Sequence, residues 1–224
     1  MLRFRLSGDI LARALHDSVG VLQRGGIIAF PTETFYGLGV KFDCHEALKR
    51  LYELKRRPRE KAMPLIIGGR QMLNEIVSLD RLSNTGILSA AMVLMDRFWP
   101  GPLTLLFPAK EGLSEYLVAN TGMVAVRIPG ESFALHLAEK AGFPITATSA
   151  NPSGSPPSGE ADVVERYFDD SIDLLLDGGP TLGRLPSTIV DLSGGVPRIV
   201  RKGAIPRGEI AEYIDPIPDH LLII

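Results

Sequence analysis

Short apolar segments alternate along this chain with amphipathic segments of helical period, and this alternation limits the fold more than any other feature of the sequence. Helices are predicted at residues 10–22, 47–54, 87–98, 133–141 and 162–168, and strands at 27–30, 64–67, 103–107, 124–128, 144–148, 172–176, 187–192 and 196–201. Strands that alternate with helices indicate the α/β class.

The final strands break the pattern, because no helix separates them. Ser193-Gly194-Gly195 joins two of these strands and predicts a hairpin turn. An antiparallel pair at the end of an alternating chain favours a mixed sheet. We therefore expect a twisted mixed sheet flanked by helices. The 224 residues suit a single domain, which we place at 1–205, followed by a C-terminal tail at 206–224.

Composition excludes several classes of protein. A formal net charge of -2 argues against a chain that holds nucleic acid or membrane by bulk charge. The single cysteine, Cys44, excludes an intramolecular disulfide and any multi-cysteine metal site. No apolar run approaches the roughly 18 residues of a membrane span, and the N-terminus lacks the apolar core of a signal peptide. We therefore expect a cytoplasmic protein with no membrane partner.

One segment of the chain is strongly basic. Residues 49–61 carry a net charge of +5, which leaves -7 for the remainder. Pro58 is expected to end the preceding helix and to gather its neighbours on a loop. These neighbours are Lys55, Arg57, Arg59 and Lys61. A local cluster of cations in an acidic chain indicates an anionic ligand. The alternative is a solvated helix end, where cations favour the helix dipole.

Polar residues also stand at strand ends, where α/β folds bind ligands. Thr32, Glu33 and Thr34 come directly after a predicted strand. Arg127 interrupts an otherwise apolar strand. A charge in that position either reaches into a cleft or pairs with a core carboxylate.

Two further segments carry hydroxyl, amide and cationic groups. Ser149 and Asn151 follow a strand, where they either offer donors to a ligand or form an ordinary Asx or Ser turn. Ser187 begins a strand whose hairpin partner ends at Arg201, so the hydroxyl and the guanidinium are expected to meet. The alternative for this pair is cross-strand pairing on the surface.

Several common catalytic motifs are absent from the sequence. It contains no GxxxxGK[ST], no GxGxxG after a strand and no GxSxG. The four histidines have no metal-like spacing. Cations, hydroxyls and an amide without an evident nucleophile suit phosphate chemistry that depends on positioning and charge neutralisation.

The same stretches resemble the threonylcarbamoyl-AMP synthase family, which is built on the YrdC-type domain. The matching segments, in chain order, are PTETFYGLG, LKRRPREK, WPGPLTLLFPA, VAVRIPG, TATSANPSG, LLDGGPTLGRLPSTIVD and RIVRKGAI. The chain is similar to the short form, without an extra C-terminal domain. The resemblance implies a mixed sheet around a large basic cavity. It also implies a nucleotidyltransferase that condenses L-threonine, bicarbonate and ATP to threonylcarbamoyl-AMP and pyrophosphate, for N6-threonylcarbamoylation of adenosine 37 in tRNA.

The resemblance also implies roles for residues at matching positions. The ATP site would comprise Lys55, Arg57, Arg59, Lys61, Ser149, Asn151 and Arg201, and the threonine site Thr32, Arg127 and Ser187. Mg²⁺ is expected with ATP, with no metal-binding side chain identified. No residue is expected to act as a nucleophile, because the cations and Mg²⁺ would neutralise the repulsion between an anionic attacker and the triphosphate.

Two rival interpretations remain open at this point. The first is an RNA-binding module that uses the basic cavity, with double-stranded RNA or tRNA as its partner. Against it, Tyr52 is the only aromatic residue close to the cluster, and base stacking needs aromatics. The second is a carbamoyl-transfer enzyme of hydrogenase maturation, whose additional segments do not fit in 224 residues. The main interpretation implies a downstream tRNA threonylcarbamoyl transferase as partner.

Overall fold

The computed structural model describes residues 1–8, 10–82 and 86–214. Its strands are β1 Leu2–Arg5, β2 Ile28–Pro31, β3 Tyr36–Gly39, β4 Leu65–Ile66, β5 Leu103–Pro108, β6 Met123–Arg127, β7 Ile145–Thr146, β8 Thr148–Ser149, β9 Leu174–Asp177, β10 Thr188–Asp191 and β11 Arg198–Arg201. They form a five-stranded sheet in the order β1-β9-β2-β3-β8 and a six-stranded sheet in the order β11-β10-β5-β6-β4-β7. Both sheets contain parallel and antiparallel pairs.

Helices lie between most of these strands. The α-helices are α1 Leu11–Gln23, α2 His45–Leu54, α3 Leu73–Ile76, α4 Ile87–Phe98, α5 Glu115–Val118, α6 Phe133–Ala141, α7 Ala161–Phe168 and α8 Arg207–Ala211, with 3₁₀ turns at Arg70–Met72, Leu79–Leu82 and Asp169–Ser171. In the described ranges, no helix has both the length and the apolar character needed to cross a membrane.

The predicted α/β class and the mixed strand directions are confirmed, although the strands form two sheets rather than one. The predicted hairpin is present as the antiparallel pair β10 and β11. Three strands, β1, β3 and β8, were not predicted separately, since the single strand predicted at 144–148 is divided between β7 in the six-stranded sheet and β8 in the five-stranded sheet. β1 alternates with exposed arginines, and β3 contains two glycines. Gly39 lets β3 approach β2 closely, because a Cβ there would lie 2.7 Å from the Phe30 ring.

Alternation along the strands of the six-stranded sheet gives it two different faces. On one face, Leu105, Phe107, Val124 and Val126 are fully buried in the main hydrophobic core, which also includes residues of α4. A second core cluster packs α1 and α6 against the five-stranded sheet. The other face of β5, β6 and β10 is therefore free to line a cleft.

The segment after residue 205 packs on the domain as far as it is described. Ile210 of α8 is fully buried within the main core. The Tyr213 ring meets Phe98 edge-on, with ring centroids 5.7 Å apart. The predicted domain boundary at 205 stays a prediction, and 215–224 of the predicted tail lie outside the described residues.

Candidate functional site

A cleft of about 650 Å³ lies on the free face of the six-stranded sheet. The strand register sets its floor. Ile66 of β4 stands beside Arg127, and Ile189 of β10 stands beside both Thr104 and Arg201. The register of β5 with β6 places Thr104 next to Arg127. These five side chains form one row across the sheet, and all of them line the cleft.

A second row of the floor is mainly apolar. Pro64, Leu106 and Ala125 lie here, and Asp191 ends the row at the tip of β10. The walls come from other parts of the fold. The turn at 32–37 and the strand β8 belong to the five-stranded sheet, whereas Arg57 comes from the loop after α2.

Three arginines from three separate segments line this cleft: Arg57, Arg127 and Arg201. Burial lowers the pKa of Arg201 to about 10, and repulsion from Arg127 and Arg57 contributes to the same shift. Burial also lowers the pKa of Arg57. Because burial and mutual repulsion disfavour these charges, an anion in the cleft would stabilise them. The carboxylates of Glu60 and Asp191 line the cleft as well, and the basic character of the whole cavity stays a prediction.

Ser187 holds Arg201 in place, so the predicted meeting of hydroxyl and guanidinium is confirmed. Arg201 donates from Nε and Nη2 to the Ser187 carbonyl oxygen at 3.0 and 2.8 Å, and from Nη2 to Ser187 Oγ at 2.8 Å. The Ser187 and Thr104 hydroxyls are 2.8 Å apart. All three side chains line the cleft. Ser187 thus contacts the predicted nucleotide-binding cation as well as facing the predicted threonine site.

Arg127 satisfies both alternatives left open by the sequence. It faces the cleft, and its Nη1 pairs with Glu33 Oε1. The arginine is 7% exposed. Glu33 Oε2 is buried without a hydrogen-bond partner. The carboxylate therefore neutralises Arg127 within the protein.

Arg57 is fixed by the loop that follows it. Its Nε donates to the Lys61 carbonyl oxygen at 2.9 Å and its Nη2 to that of Ala62 at 2.6 Å. The other two cations predicted from this loop do not line the cleft. Arg59 is exposed and Lys61 is half-buried. Their assignment to ATP stays a prediction.

Lys55 lies away from the cleft lining, although the sequence groups it with Arg57. Its ammonium donates to the carbonyl oxygens of Ser149 and Asn151, the latter at 2.6 Å. Lys55 is 2% exposed. The alternative of a solvated helix end is therefore wrong for Lys55, because the side chain turns inward under the 149–153 segment.

The hydroxyl and amide groups predicted to bind ligands also have internal partners. Thr32 Oγ1 donates to the Phe35 carbonyl oxygen at 2.7 Å and accepts from Thr34 N at 3.0 Å. Asn151 Nδ2 donates to the carbonyl oxygens of Pro152 and Ser155. This is not an Asx turn, in which Oδ1 accepts from a backbone N–H, because Oδ1 is buried without a hydrogen-bond partner in the described part of the chain. Thr32 and Ser149 line the cleft, whereas Asn151 is not one of the described residues that line it.

Sequence reasoning named Glu33 as a polar residue at a strand end but did not identify it as the partner of Arg127. It gave no role to Thr104 and Asp191, which lie on the floor of the cleft. A signal was present for Thr104, because it is the only hydroxyl in the apolar segment Leu103–Pro108. No group of three or more His, Cys, Asp or Glu side chains that could hold a metal ion occurs in residues 1–8, 10–82 and 86–214.

The chain is therefore a mixed α/β domain in which three arginines line one cleft. Comparison with known proteins gives the family. The Sua5_yciO_yrdC family model, described as telomere recombination, matches residues 20–203. The chain belongs to the Sua5/YciO/YrdC family, and the resemblance seen in the sequence is confirmed.

Curated relatives and solved structures agree with this assignment. A threonylcarbamoyl-AMP synthase of Pyrococcus abyssi is 38% identical over 205 residues, which are 91% of this chain and 58% of that protein. One of Klebsiella pneumoniae is 34% identical over 194 residues, or 85% of this chain and 97% of that protein. A structure of P. abyssi Sua5 complexed with L-threonine has a TM-score of 0.88 at 35% identity, covering 98% of this chain and 62% of that one. The chain spans less than two thirds of the Pyrococcus protein and nearly all of the Klebsiella one.

Proposed function

We propose that this chain is an L-threonylcarbamoyladenylate synthase, which uses L-threonine, bicarbonate and ATP. The observation that carries the proposal is the convergence of Arg57, Arg127 and Arg201 on one cleft. Threonine, the carboxylated intermediate and ATP are all anions or carry anionic groups, so a cleft of this kind suits them. The synthase names of the relatives and the threonine in the related structure support the choice of substrates.

In the proposed reaction, the threonine amine and bicarbonate form N-carboxythreonine, with loss of water. The new carboxylate attacks the α-phosphorus of ATP, and pyrophosphate leaves. No protein nucleophile takes part. The contribution of the chain is to orient the reactants and to reduce the repulsion between two anions.

Residue roles follow from position in the cleft. Arg127, on the row nearest the turn at 32–37, would bind the threonine carboxylate through the guanidinium donors that Glu33 leaves free. Arg57 and Arg201 would neutralise the phosphates, and Ser149 would contact the nucleotide. Thr32 and Ser187 would border the threonine. Asn151, Arg59 and Lys61 would contribute to the ATP site from its edge.

Mg²⁺ would enter with ATP. The cleft offers only the separate carboxylates Glu60 and Asp191 among its described lining residues, which fits an ion held mainly by phosphates and water. When bound, the ion would further neutralise the triphosphate.

The reaction would take place in the cytoplasm, where ATP and tRNA are available, and a tRNA threonylcarbamoyl transferase would consume the product. Binding of double-stranded RNA or tRNA by the chain itself stays a prediction from the sequence.

A product assay tests the proposal. Purified protein is incubated with ATP and Mg²⁺, with and without threonine and bicarbonate, and pyrophosphate and nucleotide products are measured. We expect pyrophosphate and a threonylcarbamoylated AMP only when both co-substrates are present. Equal pyrophosphate release with and without threonine, or ADP as the nucleotide product, would contradict the proposal.

A further inference from the structure

We propose that Lys55 is a positioning residue: its buried ammonium holds the 149–153 segment, and it acts on nucleotide binding through that segment rather than by contacting phosphates. The effect on binding rests on the proposed function, because the segment borders the cleft that is taken to hold ATP. The hydrogen bonds between Lys55 and the 149–153 segment, called the clamp below, do not depend on that function.

Three hydrogen bonds join this single residue to a five-residue segment. The ammonium donates to the carbonyl oxygens of Ser149 and Asn151. In the opposite direction, the backbone N–H of Ser153 donates to the Lys55 carbonyl oxygen at 2.8 Å. The side chain of Lys55 therefore binds the start of the segment at Ser149, and its backbone binds the end of the segment at Ser153.

The ammonium is the one donor to the Asn151 carbonyl oxygen among the described residues. The Ser149 carbonyl oxygen accepts from Asn151 N at 2.9 Å as well as from the ammonium. The Asn151 carbonyl oxygen is buried, and leaving it unpaired would be costly. A single ammonium with three donors can satisfy both carbonyl oxygens.

The clamp lies directly behind residues that line the cleft. Ser149 pairs with Gly37 in the five-stranded sheet, and Thr148 and Ser149 both line the cleft. Any shift of the segment would therefore move the cleft wall. Lys55 itself is 2% exposed and is not one of the described residues that line the cleft.

The backbone after α2 explains why two neighbouring cations point in different directions. Arg56 adopts a left-handed conformation with φ +49°. Arg56 N donates to the Glu53 carbonyl oxygen and Arg57 N to that of Tyr52, which is the bonding pattern of a Schellman motif. This reversal sends Lys55 under the 149–153 segment and Arg57 into the cleft. To reach a phosphate, Lys55 would have to abandon both carbonyl oxygens.

The experiment compares Lys55→Met with Arg57→Met, which removes a nearby cation that does line the cleft. The first measurement is hydrogen exchange in the nucleotide-free protein. We expect Lys55→Met to accelerate exchange of the amides of Asn151, Ser153, Gly154 and Ser155 at least about tenfold, as loss of charge-assisted hydrogen bonds implies. Arg57→Met should leave those amides unchanged. Unchanged exchange in Lys55→Met would overturn the clamp.

The second measurement is calorimetric binding of AMP and ATP. We expect Lys55→Met to weaken both nucleotides by the same factor, whereas Arg57→Met should weaken ATP more than AMP. A loss confined to ATP in Lys55→Met would overturn the proposal in favour of direct phosphate contact. If Lys55→Met does not fold, Lys55→Gln, which keeps two N–H donors on a shorter, uncharged side chain, replaces it in both measurements. If the wild-type protein binds neither nucleotide, the proposed function fails, and hydrogen exchange still decides the clamp.

Discussion

Arg127 and Glu33 form an ion pair at the edge of the cleft, and the second oxygen of the carboxylate has no partner. The side chains are 8% and 16% exposed. Glu33 comes from the turn after β2 in one sheet, and Arg127 from the end of β6 in the other. The pair therefore links the two sheets at the position where we propose that the threonine carboxylate binds.

Removing the arginine should leave a buried carboxylate with neither oxygen paired. We expect Arg127→Met to lower the free energy of unfolding by about 3 kcal/mol, which is the usual cost of breaking a buried pair. Urea denaturation measures the loss. The double variant Glu33→Gln/Arg127→Met should recover part of it, because the charge is then also removed. Arg198→Met, at an exposed position in β11, is the matched control and should change stability little. Equal stability of all variants would mean that the pair is not formed in solution.

Stability should also depend on pH through Lys55. Burial, with repulsion from Arg57, lowers the pKa of this lysine from 10.5 to about 7. Between these values the unfolded state binds more protons than the folded state, so stability rises with pH. Below about pH 7 both states are charged and the full burial cost remains. The neutral amine still donates hydrogen bonds, so the clamp persists.

Urea midpoints between pH 7 and 9.5 test this dependence. The free energy of unfolding should rise by up to about 1.4 kcal/mol per pH unit from this one group. In Lys55→Met the slope should decrease by that amount, whatever the absolute stability of the variant. An identical slope in the two proteins would show that Lys55 titrates normally.

Arg56 offers a site for stabilisation. An L-residue in the left-handed conformation costs about 1–2 kcal/mol, and glycine does not bear this steric cost. Arg56 is exposed, and its side chain has no hydrogen bond to another residue of the described ranges. Arg56→Gly should therefore raise the free energy of unfolding by about 0.5–1 kcal/mol after the entropy cost of glycine. Arg56→Ala removes the same side chain but keeps the strain, so its melting temperature should match the wild type. Stabilisation by both variants would point to charge rather than to backbone conformation.

Close packing of Gly183 against the turn at 32–34 gives a further prediction. A Cβ at Gly183 would lie 2.3 Å from Thr34 Cα and 2.5 Å from its carbonyl oxygen. Gly183→Ala should therefore cost about 1–3 kcal/mol, as overpacking does. It should also raise KM for threonine, because the Thr32 turn must shift. Gly195→Ala has no atom within 4 Å of the new methyl group and serves as the control. A Gly183→Ala protein with wild-type melting temperature and KM would contradict this account.

The regular elements were largely predictable because their signals are local. The predicted bounds of α4 and α6 agree with the structure, and most strands fall within two residues of their predicted positions. The spacing of apolar residues along the sequence identifies these elements, and in the structure their apolar faces are buried. β1 escaped prediction because it is an edge strand whose alternating arginines remain largely exposed.

The residue types of the site were predictable from the sequence, but the directions in which several of their side chains point were not. Arg127 and Arg201 lie on strands, where alternation fixes the face to which each side chain points. Lys55 follows a helix, and the next residue, Arg56, reverses the chain in a left-handed conformation. Glycine usually marks such a position in a sequence, and it is not present here. Thr32 and Asn151 satisfy neighbouring backbone groups, a competition that residue type alone does not resolve.

Arg127 and Arg201 lie in the same row of side chains across the six-stranded sheet, and this makes the floor of the cleft more rigid than the wall that faces it. Thr104 and Ile189 lie between them, so three strand spacings of about 4.8 Å separate their Cα atoms by about 14 Å. Interstrand hydrogen bonds fix this span, and a ligand adjusts only the torsion angles of the two long side chains. The opposite wall, at 32–37, belongs to the other sheet, and the described backbone hydrogen bonds between the two sheets lie at 40–42 and 144–146 rather than at this wall. The wall can therefore shift relative to the arginine row without breaking the hydrogen bonds of the floor.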